Sequence, residues 1–261
     1  MNKDLILEVC VDSLDSATAA EQGGAQRIEL CSDLLEGGIT PSTGLIAAVR
    51  GAISIELCTL IRPRGGDFCY SEAEMEIMRR DVCAAKQQGA DGVALGILDV
   101  DGRIDAARMR ELAELAAPMK VTCHRAFDMS YDLFQSVADL QNIGAHCILT
   151  SGGKETAAEG VETLKRIVQA ANGRIRIMAG SGIEAHNVAG IVERTGVREI
   201  HASLKSSVAS PMRFRKEEIS MGSLKGMEYQ RHVVLRDRVR ELLHAAGNHG
   251  TAWQDHGRNK L

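Results

Sequence analysis

The chain has 261 residues, of which 44% are hydrophobic and 25% charged, and its formal net charge at pH 7 is −4. This length and composition allow a globular domain with a large core. A basic field is lacking and only 3% of residues are aromatic, so nucleic acid is excluded as an expected partner. No apolar stretch reaches membrane-spanning length, and the seven cysteines indicate free thiols in a reducing compartment. We therefore expect a cytoplasmic protein without membrane contact.

Short apolar runs alternate with helical patterns along the chain. Strands are predicted near 5–11, 26–32, 53–61, 91–98, 119–127, 146–152, 174–182 and 197–203. A helical pattern follows each strand, although a long loop at 204–227 delays the last one to 228–246. Alternating units of this kind imply a parallel sheet with right-handed crossovers, and eight of them in about 250 residues are typical of a (β/α)8 barrel.

We therefore predict an α/β fold, a single TIM barrel over residues 1–246 with a long loop after strand 8 and a C-terminal helix. Residues 247–261 are polar and are predicted to form a flexible tail. The alternative, a doubly wound sheet, is disfavoured because no glycine-rich dinucleotide fingerprint follows the first strand. For the same reason we expect no nucleotide cofactor.

A glutamate followed two residues later by a cysteine occurs in each of the first three predicted strands. In a strand, residues i and i+2 point to the same side, so each repeat places a carboxylate and a thiol on one face. Thiols on adjacent strands could approach each other, and carboxylates in apolar runs must be paired or hydrogen-bonded. The pairs are Glu8 with Cys10, Glu29 with Cys31, and Glu56 with Cys58.

Charged residues also gather where the predicted strands end, which is where TIM barrels carry their sites. Arginines there could bind a carboxylate or phosphate, and His124 could transfer protons at neutral pH with Glu8 or Glu29 as its partner. This pattern predicts a lyase, isomerase or hydrolase acting on a small anionic metabolite, including phosphorylated ones. The alternative is a network of ion pairs that only holds the top of the barrel. The candidate catalytic residues are Glu8, Glu29, Arg62, His124 and Arg125.

A glycine-serine-glycine turn ends the seventh predicted strand and leads into a helical pattern. Barrels often bind phosphate on the loops after strands 7 and 8, where backbone N–H groups point at the ligand. The loop at 204–227 could cover the same mouth. The candidate anion-binding residues are Arg64, Gly180, Ser181, Gly182 and Ser203.

Several of these segments together resemble the CutC copper homeostasis family over about residues 5–245. They are the Glu8-Val9-Cys10 repeat, IRPRGGDFCY at 61–70, VTCHRAFDM at 121–129, LTSG at 149–152 and SPMRFR at 210–215. The resemblance implies a cytoplasmic (β/α)8 barrel that forms a homodimer or higher homo-oligomer and is linked to copper tolerance.

The same resemblance implies that Cys10 and Cys31 are Cu(I) ligands, which agrees with the preference of Cu(I) for soft thiolates. Two residues depart from the family pattern: Cys58, where a cysteine is unusual, and Cys123, which replaces a phenylalanine before His124. We expect Cys58 to lie about 7 Å deeper than the mouth and outside a shared coordination shell. Either a copper ion or a small anionic molecule is thus the predicted ligand.

Overall fold

A computed structural model describes residues 5–221 and 226–247. Eight parallel strands close into a barrel in chain order, and β1 completes the circle by pairing with β8. The predicted TIM barrel is confirmed. The strands are β1 Ile6–Val11, β2 Arg27–Leu30, β3 Glu56–Leu60, β4 Gly92–Leu95, β5 Lys120–Cys123, β6 Cys147–Thr150, β7 Arg176–Gly180 and β8 Glu199–Ala202.

Helices surround the barrel, and several begin with the local signals that sequences use for this purpose. The Ser71 side chain accepts from the backbone of Glu74, and the Glu74 side chain accepts from the backbone of Ser71, which is a capping box. None of the helices in the described ranges is long and apolar enough to cross a bilayer. They are α1 Leu14–Gly23, α2 Thr43–Ala52, α3 Glu72–Gln87, α4 Ala106–Ala116, α5 Leu133–Ile143, α6 Val161–Ala171, α7 Val188–Thr195 and α8 Arg236–Ala245.

The segment after β8 differs from the predicted structureless loop and long final helix. It forms an antiparallel hairpin of β9, Lys205–Ala209, and β10, Gln230–Val234, so the last helix begins only at Arg236. β10 is fixed by contacts far away in the sequence, since the backbone N–H of Val234 donates to Ser16 Oγ on α1 at 3.1 Å. Helical spacing alone could not show this partner. The predicted flexible tail lies outside the described residues from 248 onward.

The interior of this barrel is charged, whereas TIM barrels usually fill it with bulky aliphatic side chains. The apolar residues of β1, such as Leu7 and Val9, are fully buried. Between them Glu8 is only 1% exposed, so the strand is buried on both faces although one face is polar. Buried carboxylates require partners, and the site begins with those partners.

Helices α1 and α8 pack so closely that the end of α1 requires a glycine. A Cβ added at Gly23 would lie 2.4 Å from the Val239 Cβ and 2.9 Å from the Arg236 carbonyl oxygen. We predict that Gly23→Ala lowers the free energy of unfolding by about 1–3 kcal/mol, because overpacking forces the helices apart. Gly190→Ala, at an exposed helical position with nothing within 4 Å, should instead stabilise by about 0.5–1 kcal/mol.

Urea unfolding of the two variants beside the parent chain measures both effects. Equal stability of the two variants would show that the contact between α1 and α8 can relax without cost.

Candidate functional site

Arg27 is the centre of an ion-pair network inside the barrel. Its guanidinium donates from Nε to Glu8 and from Nη2 to Glu199 Oε2 at 2.6 Å. Strand register produces this arrangement, because Glu8 lies beside Arg27 of β2 on one side and beside His201 of β8 on the other. Arg176 adds a second cation, with Nη1 at 2.8 Å from Glu199 Oε1. The interior carboxylates are therefore paired, as their burial requires.

His201 connects this network to the mouth of the barrel. Its Nδ1 lies 2.7 Å from Glu8 Oε1, and its Nε2 lies 3.9 Å from Glu29 Oε2. Burial opposes the imidazolium form, but hydrogen bonds to Cys10 and Glu8 and the two carboxylate charges raise the pKa of His201 well above its usual value. Burial also opposes ionisation of Glu8, yet Arg27 and His201 outweigh it and lower the pKa of Glu8 to about 2. Glu8 and His201 thus form a charged pair.

The thiols of Cys10 and Cys31 lie directly above this pair. Their sulfur atoms are 3.6 Å apart, so the expected approach of the two thiols occurs. Cys10 Sγ, a Glu29 carboxylate oxygen and a His201 ring nitrogen all lie within 4.8 Å of one another. The hydrogen bond to Cys31 and burial raise the pKa of Cys10, so its thiol is protonated in the metal-free protein. Binding of a metal ion would release that proton.

Strand register places Cys58 two residues below the level of Cys31 but level with Cys10, because Cys10 and Cys58 both pair with Glu29. Its side chain still packs in one apolar group with both thiols, and burial raises its pKa. The expectation that Cys58 stands outside a shared coordination shell stays a prediction. Cys123, the other departure from the family pattern, is fully buried in the main core.

Glu8 and Glu29 face His201, and the prediction that either of them pairs with His124 is wrong. His124 follows β5, which is opposite β1 in an eight-stranded barrel, and its Nδ1 accepts from the Ala126 N–H at 3.1 Å. Arg125, its neighbour, is held by Asp128, with Nε at 2.8 Å from Oδ2, and by Ser151 Oγ. These residues form a separate group on the far side of the mouth.

The two arginines of the loop after β3 are committed to the backbone of that region. Arg62 donates from Nη1 to the carbonyls of Glu36 and Gly38 and from Nη2 to that of Gly66. Arg64 pairs with Glu74 at 2.6 Å and also donates to Asp67. Arg62 is buried, whereas Arg64 is partly exposed and braces the outside of the loop.

The glycine-serine-glycine turn forms hydrogen bonds with the neighbouring loop. Ser181 Oγ donates to the Glu155 carbonyl at 2.6 Å, and the Ser181 carbonyl accepts from the Ala157 N–H at 3.0 Å. α7 begins only at Val188, so the turn does not lead straight into a helix N-terminus. A glycine is required at position 180 for packing, because a Cβ there would lie 2.5 Å from Leu149 Cδ1. Gly182 has φ +67°, and Ser203 is exposed beside β9.

Sequence reasoning missed the part that Arg27 and Glu199 play in the site, and it did not include His201 among the candidate catalytic or metal-binding residues. Arg27 and Glu199 stand at the first positions of β2 and β8, which is the end of a barrel strand where no site is expected. Arg27 reaches Glu8 through the pairing of β1 with β2, whereas closure of the barrel through β8 brings Glu199 to the same guanidinium. A signal was available for His201, because it stands in an apolar strand where a polar group needs a partner.

Fold and cluster together define a class: a (β/α)8 barrel whose mouth presents two thiols, an imidazole and a carboxylate over a buried ion-pair network. The chain belongs to the CutC family, whose model matches residues 5–206. A CutC family protein of Chromobacterium violaceum is 46% identical over 242 residues, covering 93% of this chain and 98% of the relative.

Two further relatives support the assignment. The human copper homeostasis protein cutC homolog is 45% identical over 244 residues, covering 93% of this chain and 89% of its own. The crystal structure of a copper homeostasis protein CutC from Streptococcus agalactiae superimposes with a TM-score of 0.73 at 33% identity. It covers 76% of this chain and 98% of the other.

We predict that Arg27→Met lowers the free energy of unfolding by about 3–5 kcal/mol, because Glu8 and Glu199 stay buried but lose the cation that they share. Arg194→Met is the matched control, since its ion pair with Glu162 is exposed and should contribute less than about 1 kcal/mol. Urea unfolding at neutral pH measures both. Similar losses in the two variants would contradict a network that depends on burial.

His124 should remain neutral far below the usual range of histidine. Burial and the charge of Arg62 lower its pKa to about 3, whereas an unfolded histidine titrates near 6.5. The unfolded chain therefore binds a proton that the folded chain refuses, and this residue makes stability fall as the pH drops from 6.5 toward 3. In proton NMR spectra the His124 ring resonance, assigned by its loss in His124→Phe, should not shift between pH 8 and about pH 4.5. A midpoint near 6.5 would contradict the burial of this ring.

Proposed function

We propose that this protein binds Cu(I) through the thiolates of Cys10 and Cys31. The observation that carries the proposal is the 3.6 Å separation of the two sulfurs. With metal–thiolate bonds of about 2.3 Å, one ion can contact both sulfurs at an angle of about 100°. Such an angle leaves room for a third ligand on the same side. Two soft sulfur donors are the set that selects Cu(I) over harder divalent ions.

His201 is the third donor that fits best. Imidazole is a suitable copper ligand, whereas carboxylate oxygens suit harder ions, so Glu29 fits less well beside two thiolates. The Glu8 carboxylate accepts from His201 Nδ1, which fixes the ring, and Nε2 would release its proton when it binds the metal ion. Partners of this kind orient metal-binding histidines in many proteins. In this proposal the Arg27 network holds the ring in place.

The relatives' names give this chemistry a physiological setting. The human and mouse relatives are called copper homeostasis protein cutC homologs. We extend this role to the present chain and place it in the cytoplasm, where seven free cysteines would stay reduced. The homodimer or higher oligomer implied by the family resemblance stays a prediction.

We predict that the reduced protein binds one Cu(I) ion tightly and that Cys10→Ser with Cys31→Ser abolishes this binding. A serine hydroxyl is a hard, neutral donor and cannot replace a thiolate for Cu(I). The measurement is an anaerobic titration against a chromogenic Cu(I) chelator. The control is Cys83→Ser, which removes a half-buried thiol on α3, outside the barrel, and should leave binding unchanged.

Stoichiometric binding that survives in the double variant would refute the assignment of the two thiols. Loss of binding in Cys83→Ser would instead show that the titration reports surface thiols.

The enzyme alternative, a lyase, isomerase or hydrolase for a small anionic metabolite, stays a prediction. One observation favours an anion at this mouth: buried Arg62 and His124 each have a hydrogen-bonding nitrogen without a partner. Neither residue belongs to the Cys10–Cys31 cluster, so the two ligands could bind the same protein.

A further inference from the structure

Unsatisfied hydrogen-bonding atoms concentrate in one place in this molecule. Within residues 5–221 and 226–247, four buried side-chain nitrogen or oxygen atoms have no hydrogen-bond partner. One is Thr59 Oγ1, and the other three are Arg62 Nε, Tyr70 Oη and His124 Nε2. Buried polar groups are nearly always satisfied in folded proteins, so three orphans on neighbouring residues require an explanation.

Arg62 is a buried cation without a counter-ion. It is 7% exposed, and its guanidinium donates three hydrogen bonds, which run to the neutral carbonyls of Glu36, Gly38 and Gly66. In the described part of the chain no carboxylate lies within ion-pair distance of it. Arg27 is equally buried but pairs with both Glu8 and Glu199. Unpaired buried charges are costly, which indicates that Arg62 lacks its anion.

His124 offers a second donor beside this cation. Because Nδ1 accepts from the Ala126 N–H, the ring proton of the neutral imidazole is on Nε2, which finds no acceptor. The fold makes room for the ring in this position: a Cβ at Gly96 would lie 2.8 Å from its Cε1 and Nδ1. Gly96 thus allows His124 to lie across β4 with Nε2 unpaired.

Phe68 and Tyr70 complete the group. The centre of the Phe68 ring is 5.0 Å from that of His124 and 5.1 Å from Arg62 Cζ, so Phe68 packs against both. Burial raises the pKa of Tyr70 to about 12, although Arg62 opposes the shift, so its hydroxyl stays protonated. The group therefore presents three O–H or N–H donors and one uncompensated positive charge.

We propose that Arg62, Tyr70 and His124 form a binding site for the carboxylate group of a small organic acid. A carboxylate supplies the missing negative charge, and its two oxygens accept several hydrogen bonds at once. A water molecule fits less well, because it carries no charge and would leave the buried guanidinium of Arg62 without a counter-ion. The half-buried Phe68 ring packs against two members of the site, Arg62 and His124.

This site is separate from the thiol cluster but adjoins it through one loop. The Gly38 carbonyl accepts from Arg62, and a Cβ at Gly38 would lie 3.7 Å from Cys31 Sγ. The carboxylate site requires neither thiol and does not rest on the copper proposal. It deepens the anion prediction by naming the ligand class and the three donors.

The test uses formate, the smallest carboxylate, as the probe. Thermal unfolding is measured in sodium formate and in sodium chloride at equal ionic strength. We expect formate to raise the Tm of the parent chain by about 2 °C or more, because a ligand that binds only the folded state stabilises it. The shift should disappear in His124→Phe, which keeps a ring above Gly96 but removes the donor, and should shrink in Tyr70→Phe.

A crystal structure of the parent chain soaked in formate locates the ligand. Formate oxygens within about 3.1 Å of Arg62 Nε and His124 Nε2 would support the proposal. A single water or a chloride ion in that position would overturn it, as would an equal formate shift in His124→Phe. If His124→Phe does not fold, Tyr70→Phe and the soaked crystal decide.

The double variant Cys10→Ser with Cys31→Ser separates this proposal from the copper proposal. It should lose Cu(I) binding and keep the full formate shift. If a variant still binds Cu(I) but no longer shows the formate shift, it has lost only the carboxylate site.

Discussion

The ion pairs of Arg27 inside the barrel are the constraint on which the site depends. Glu8 lies in a strand that is buried on both faces. Its carboxylate is tolerated there only because Arg27 donates to it and His201 lies 2.7 Å away. Once Glu8 is held as an anion, it fixes the His201 ring, and the ring in turn stands beside Cys10. The ion pairs inside the barrel therefore fix the positions of the groups at its mouth. Ionic packing replaces the usual aliphatic layers and holds the groups at the mouth.

The mouth is divided between two chemistries because the barrel is closed. Strands β8, β1 and β2 are neighbours and bring together the thiols, the imidazole and Glu29. The loops after β3 and β5 bring together Arg62, Tyr70 and His124. The first group offers soft donors and has every carboxylate paired or close to a cation. The second offers hydrogen-bond donors and one cation without an anion. A soft metal ion suits the former and a small carboxylate the latter.

The arginines of the motifs at the strand ends mainly hold the surrounding loops in place. Arg62 holds three loop carbonyls, Arg64 braces the same loop, and Arg125 is held by Asp128. The location of an arginine- and glycine-rich motif at a strand end therefore does not by itself imply contact with a ligand. Once these structural hydrogen bonds are formed, a small number of side-chain atoms, among them Arg62 Nε, remain available to bind a ligand. Those leftover atoms, rather than the motifs, indicate the ligand.

The sequence by itself determined the barrel, since eight strand patterns alternating with helical ones leave few other topologies, and period-two spacing placed Glu8 and Cys10 on one face. It also determined that the Cys10 and Cys31 thiols could approach each other, because period-two spacing puts both on one face of neighbouring strands. Only the tertiary structure decided which strands are opposite. Closure placed His201 beside Glu8, kept His124 away from it, and brought Glu199 to Arg27. The hairpin of β9 and β10 likewise needed α1 as its partner. Contacts of this kind join residues more than 150 positions apart, and local spacing carries no information about them.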